Sequence, residues 1–247
     1  MPRLALDITT PDGTCPASFF TPETGAAPWP GVVFFMDGLG IRPAMWEMGQ
    51  RLADAGYAVL LPDAYYRSGP YEPMNPAEIF ANPEARAKLG SRVGSLTRER
   101  KIVDTGAYLA WLAARPEVKH GKYGATGYCM GGHAALTAAG AFPDKFAAIA
   151  SFHGGSLAVD SPDSPHQFAD AITARVYVAG AIEDAHFDDA QKDRLEQALT
   201  EAGVDHVVET YEGARHGFAV RDIPVYDEAA AERHWDALLK LFGETLG

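Results

Sequence analysis

A chain of 247 residues, 47% hydrophobic and 22% charged, is long enough to bury one α/β core, and residues 1–247 read as a single domain. Its net charge of −12, offset by no basic stripe, argues against nucleic acid and against an anionic membrane surface as partners. Two cysteines, Cys15 and Cys129, make no disulfide framework at this length; with neither an apolar leader in Met1–Asp7 nor a run of ~18 apolar residues, the expected compartment is the reducing cytoplasm.

Leu4–Ile8 and Thr14–Phe20, parted by Pro11-Asp12-Gly13, predict an antiparallel hairpin at a sheet edge. After a turn-rich connector, the unbroken apolar run Gly31–Met36 predicts a strand covered on both faces, stopped at Asp37-Gly38-Leu39-Gly40. A helix is expected from Pro43 to Gly56 and a buried strand at Tyr57–Leu61. Tyr65 to Asn82 is a long aromatic and proline-rich excursion, a length of loop that compact domains reserve for function or mobility. Glu84 to Arg115 predicts helix in two pieces meeting near Gly90–Gly94. Strands follow at Lys122–Gly127, Phe146–Phe152, Arg175–Ala179 and His206–Tyr211, with helices at Ala134–Ala141, Asp188–Ala202 and about Tyr226–Phe242. The alternation predicts an α/β fold: a mostly parallel central sheet, helices on both faces, and the N-terminal antiparallel hairpin at its edge.

One stretch organises the rest. Gly127-Tyr128-Cys129-Met130-Gly131 fits the sharp strand-to-helix turn of α/β-hydrolases, with cysteine where serine is usual. The glycines keep Cβ atoms out of a turn that strains its central residue and pushes that side chain outward. The helix that begins there turns unpaired N–H groups and the positive end of its dipole toward the sulfur, favouring thiolate.

In sheets of this kind ligands sit beyond the carboxyl ends of the strands. Cys129, Asp184 and His216 lie on three loops at those ends, in the order nucleophile, acid, histidine. His216 is expected to take the thiol proton, and Asp184 to orient the imidazole. Glu183 is the alternative acid, and His186 competes with His216. Asp188 and Asp189 are assigned to the start of the next helix.

With these residues in hand, Gly127-Tyr128-Cys129-Met130-Gly131-Gly132, the Asp184 loop and Glu212-Gly213-Ala214-Arg215-His216-Gly217-Phe218 resemble the dienelactone hydrolase family, from about Thr14 to the end of the chain. The resemblance implies an α/β-hydrolase fold, no metal and no organic cofactor, and hydrolysis of a small ester or lactone through an acyl-cysteine. It also implies an acid at the end of the first core strand that reaches the cysteine. The family commonly has Glu there; this chain has Asp37, one methylene shorter. The oxyanion is expected between the backbone N–H groups of Gly38 and Met130.

Four residues are assigned to substrate contact: Tyr66 and Arg67, which with Tyr65 form a wall carrying a cation for an acidic substrate, His153 at a strand's carboxyl end, and Phe218 in the loop after the last strand. Each has a plainer reading as a loop or packing residue, as has Asp37, which in that reading caps a turn. Two other functions fit parts of the sequence. Thr126–Gly132 reads as the glycine-rich turn of a short-chain NAD(P)-dependent oxidoreductase, but it does not follow the first core strand, and no Tyr-x-x-x-Lys comes after it. A non-catalytic binding module on a hydrolase scaffold is the other, since fold alone confers no activity. The sequence does not set the oligomeric state.

Overall fold

The computed structural model describes residues 3–247, for Phe80 the backbone alone; Met1 and Pro2, which open the stretch read for a leader, lie outside the described residues. Eight strands form one sheet in the order β1-β2-β4-β3-β5-β6-β7-β8. They are β1 (Leu4–Thr10), β2 (Gly13–Phe20), β3 (Gly31–Phe35), β4 (Ala58–Pro62), β5 (Tyr123–Tyr128), β6 (Phe146–Phe152), β7 (Arg175–Glu183) and β8 (His206–Arg215). β1 and β2 pair antiparallel, as does β2 with β4, and every pairing from β4 to β8 is parallel. The edge hairpin and the parallel core are those expected from the sequence.

Seven α-helices accompany the strands among the described residues: α1 (Pro43–Asp54), α2 (Pro76–Ala81), α3 (Pro83–Gly94), α4 (Arg98–Ala113), α5 (Met130–Ala141), α6 (Asp189–Glu201) and α7 (Glu228–Thr245). Strand side chains alternate between two cores. Val32 and Phe34 pack with Met45 and Leu52 of α1 and with Trp235, Leu238 and Phe242 of α7. Val33 and Phe35 pack on the other face with residues of α4, α5 and α6. Burying both faces of the parallel strands removes apolar area from water at ~25 cal/mol per Å², the main favourable contribution to folding. No helix among the described residues is long and apolar enough to cross a membrane.

Several boundaries differ from expectation, and the differences matter at the site. β7 runs past Gly180 to Glu183, and β8 runs past Gly213 to Arg215. Gly180 is no strand terminator: a Cβ there would press on Lys192 and Phe187, so the residue is small for packing. The register couples Glu183 with Arg215, so the residues that follow, Asp184 and His216, leave the sheet side by side. α5 starts at Met130 rather than after Gly132, because the turn is complete at Cys129. The long helical region breaks at Ser95–Thr97, where Thr97 accepts from the Arg100 N–H and starts α4. The aromatic excursion contains α2, capped by Asn75. Asp188 caps α6 through the Gln191 N–H at 2.9 Å, as its sequence position predicts.

Candidate active site

The elbow is built by steric necessity. Cys129 has φ 54° and ψ −119°, a conformation that a residue with a Cβ occupies only when its surroundings enforce it, at a cost of ~1–3 kcal/mol. The enforcement is visible in the backbone. Cys129 N–H donates to the Phe152 carbonyl at 3.2 Å, and the Cys129 carbonyl accepts from Gly132 at 3.1 Å and Gly155 at 3.4 Å. A Cβ on Gly127 would overlap the Gly131 carbonyl; one on Gly131 would overlap the Phe35 and Met36 carbonyls; one on Gly132 would meet Ser151 Oγ. The glycines therefore serve close packing inside the protein, not the approach of a pyrophosphate, and the dinucleotide reading loses its motif.

His216 follows β8 directly, and its Nδ1–H donates to Asp184 Oδ2 at 2.8 Å. Asp184 Oδ1 accepts the His186 N–H at 2.9 Å, and the Asp184 side chain is fully buried while Glu183 is exposed. With Nδ1 so engaged, the imidazole lies close enough to Cys129 for the sulfur to influence its protonation. Burial alone would lower the pKa of His216. The electrostatic influence of Cys129 and the Asp184 hydrogen bond together outweigh burial and raise it to about 10. The balance favours the imidazolium form of His216.

Neither the Gly38 N–H nor the Met130 N–H donates to an acceptor among the described residues. Met130 is the first residue of α5, where no intrahelical partner exists. A polarisable sulfur, an imidazole, a buried carboxylate and two uncommitted N–H groups make a constellation suited to attack on a carbonyl carbon.

Five sequence assignments meet other partners or burial instead, for physical reasons. Asp37 is 1% exposed and does not bond to Cys129 among the described residues; both its oxygens are taken by Arg42, at 2.7 and 2.8 Å, and Oδ1 also accepts the Leu39 N–H at 2.9 Å. Arg42 goes on to Asp222 at 2.7 and 3.0 Å, joining the β3–α1 loop to the loop that carries His216. Arg67 is held by Asp104 at 2.7 and 2.8 Å and by Asp12 at 2.7 Å, and Tyr66 donates to Asp104 at 2.8 Å. These two residues tie the β1–β2 hairpin to α4 and form no substrate wall. Phe218 is 0% exposed and packed on Tyr211, which leaves it no surface for a ligand. His153 is likewise sealed, its ring 5.2 Å from those of His216 and Phe218 and edge-on to both, so it backs the catalytic histidine candidate instead of lining a pocket. His186 flanks His216 from the other side at 5.1 Å. Burial holds His153 neutral, with its pKa pushed well down.

Sequence reasoning missed Arg42. An Asp and an Arg on either side of a short glycine-rich loop was the available signal. Replacing Arg42 by methionine is expected to leave the Asp37 charge buried and unpaired and to cost ~3–5 kcal/mol of stability, read as a lower urea midpoint at neutral pH.

Comparisons with known proteins place the fold and the sequence pattern. The chain is 25% identical to the carboxymethylenebutenolidase of Rhodococcus opacus, over 93% of this chain and 87% of that one. It superposes on a dienelactone hydrolase-like promiscuous phosphotriesterase from metagenomic libraries with a TM-score of 0.76, at 28% identity over 99% of both chains. The solved structure named m3DLH gives a TM-score of 0.82 at 26% identity, over 99% of this chain and 98% of that one. The sheet order, the elbow at Cys129 and the sequence pattern of the dienelactone hydrolase family, which matches residues 16–246, lead to one conclusion: this α/β-hydrolase chain belongs to that family.

Proposed function

We propose that this hydrolase, acting as a single domain, cleaves a small ester or lactone through Cys129, His216 and Asp184. The reading is carried by one observation: the His216 imidazole bonds the buried Asp184 carboxylate through Nδ1 and lies within electrostatic reach of the elbow sulfur. The Cys129 thiolate attacks the carbonyl carbon, and the carbonyl electron pair moves onto oxygen, which the Gly38 and Met130 N–H groups receive. The His216 imidazolium gives its proton to the departing alkoxide as the carbonyl re-forms, leaving an acyl-cysteine. Neutral His216 then takes a proton from water, whose oxygen attacks the acyl carbon and releases the acid. Asp184 holds the tautomer throughout. A sulfur nucleophile suits this sequence of events because a thiol gives up its proton to an imidazole more readily than a hydroxyl does.

The name of the Rhodococcus relative makes a lactone the first substrate to assay, alongside short esters. Acid-quenching the enzyme during turnover of p-nitrophenyl acetate and digesting it is expected to place one acetyl group on the peptide that contains Cys129. An acetyl group found only elsewhere, with turnover intact, would sink the mechanism.

A further inference from the structure

Tyr65, in the loop after β4, is 1% exposed, and its ring meets that of Tyr71 edge-on at 5.6 Å. Its hydroxyl donates to the Gly38 carbonyl at 2.9 Å and lies 3.2 Å from the Met130 sulfur. Those are the two residues assigned to the oxyanion. One belongs to the β3–α1 loop and the other opens α5, so no covalent continuity holds them together.

The peptide planes around Gly38 are fixed from outside. The Asp37 carbonyl accepts the Gly40 N–H at 3.4 Å, which orients the plane that carries the Gly38 N–H. The next plane is pinned at both ends, by Asp37 Oδ1 on the Leu39 N–H and by Tyr65 on the Gly38 carbonyl. A glycine has two soft dihedrals and no Cβ to restrict them, so these bonds decide where its N–H points. Leu89 and Val93 of α3 lie against the same glycine and leave it no room to swing outward. Burial, then the nearby charges of Cys129 and Asp37, push the Tyr65 pKa upward and keep the phenol a donor.

We infer that Tyr65 is a positioning residue for the reaction: its hydroxyl holds Gly38 and Met130 at the separation where both N–H groups meet one oxyanion. The inference rests on the thiol-hydrolase reading above and adds a residue to it. It makes a distinction that packing alone does not. Ester cleavage places negative charge on a carbonyl oxygen and needs the two N–H groups. Alkylation by iodoacetamide does not, because the Cys129 thiolate displaces iodide at a saturated carbon.

The test is Tyr65→Phe, which keeps the ring and removes one oxygen. With p-nitrophenyl acetate, kcat is expected to fall about tenfold with KM little changed, short of the ~10²–10³ lost with an oxyanion donor itself. Affinity for a trifluoromethyl ketone is expected to fall in step, since the thiolate adds to its carbonyl carbon and the electron pair settles on oxygen. The iodoacetamide rate should stay within about twofold of wild type, a margin below the effect of one hydrogen bond. Unchanged ester turnover and ketone affinity would overturn the inference, and so would an equal loss in all three measurements. A Cys129→Ala variant run alongside separates the two claims: if it is inactive while Tyr65→Phe behaves as wild type, only the Tyr65 inference fails.

Discussion

Cys129→Ala is expected to lower kcat/KM for p-nitrophenyl acetate by at least ~10³-fold, with an unchanged circular dichroism spectrum. The size follows from the mechanism, because the variant has no atom that bonds to the acyl carbon. Retention of the fold follows from the elbow. The strain at φ 54° belongs to any residue with a Cβ, and the bonds that impose it run through the Cys129 backbone. The same variant tests the electrostatics. The Cys129 charge is the largest influence raising His216, so without it the His216 titration seen by NMR should move from about 10 toward the ordinary imidazole range. Wild-type turnover in this variant would rule out the sulfur as nucleophile.

Asp184→Asn is the second large effect: a fall in kcat/KM of ~10²–10⁴-fold, against less than about twofold for Glu183→Gln. The two acids are adjacent in sequence, yet only Asp184 is buried and bonded to His216, while Glu183 points to solvent at the end of β7. An asparagine that turns its NH₂ toward Nδ1 favours the wrong tautomer and removes the charge. That charge also has a signature in pH. Acylation needs the imidazolium to protonate the leaving group, so kcat/KM should decline on the alkaline side as pH rises through about 10. Asp184 contributes a hydrogen bond and a charge to that raised value, so Asp184→Asn should move the alkaline limb to lower pH. A larger loss in Glu183→Gln than in Asp184→Asn would show that the wrong acid was assigned.

Arg42 and Arg67 make a related point about substrate. Arg67 was read from sequence as a cation for an acidic substrate, and Arg42 was not singled out at all. Each is instead neutralised inside the protein, Arg42 by Asp37 and Asp222, Arg67 by Asp12 and Asp104. The acidic-substrate wall read from Tyr65–Arg67 therefore has no support in this geometry, and the aromatic excursion contributes a buried Tyr65 behind the oxyanion residues instead.

What was legible without coordinates was local. Apolar runs announced the parallel strands, and the glycines around Cys129 announced the elbow, because steric exclusion acts over a few residues and leaves its mark in order and spacing. The order of Cys129, Asp184 and His216 was readable as well, since parallel strands bring their carboxyl ends to one edge whatever lies between. Strand ends were misjudged at Ala179 and Tyr211, because ladder pairing between β7 and β8 continues to Glu183 and Arg215.

Sequence alone determined the parallel sheet with its edge hairpin and the strained turn at Cys129. Tertiary structure alone decided who pairs with whom: Asp37 with Arg42 instead of Cys129, Arg42 with an Asp222 that lies 180 residues along the chain, and the Tyr65 hydroxyl with the Gly38 carbonyl and the Met130 sulfur from different elements. Buried charges and donors must find partners wherever packing brings them, and that distance in sequence carries no pattern that a linear reading can detect.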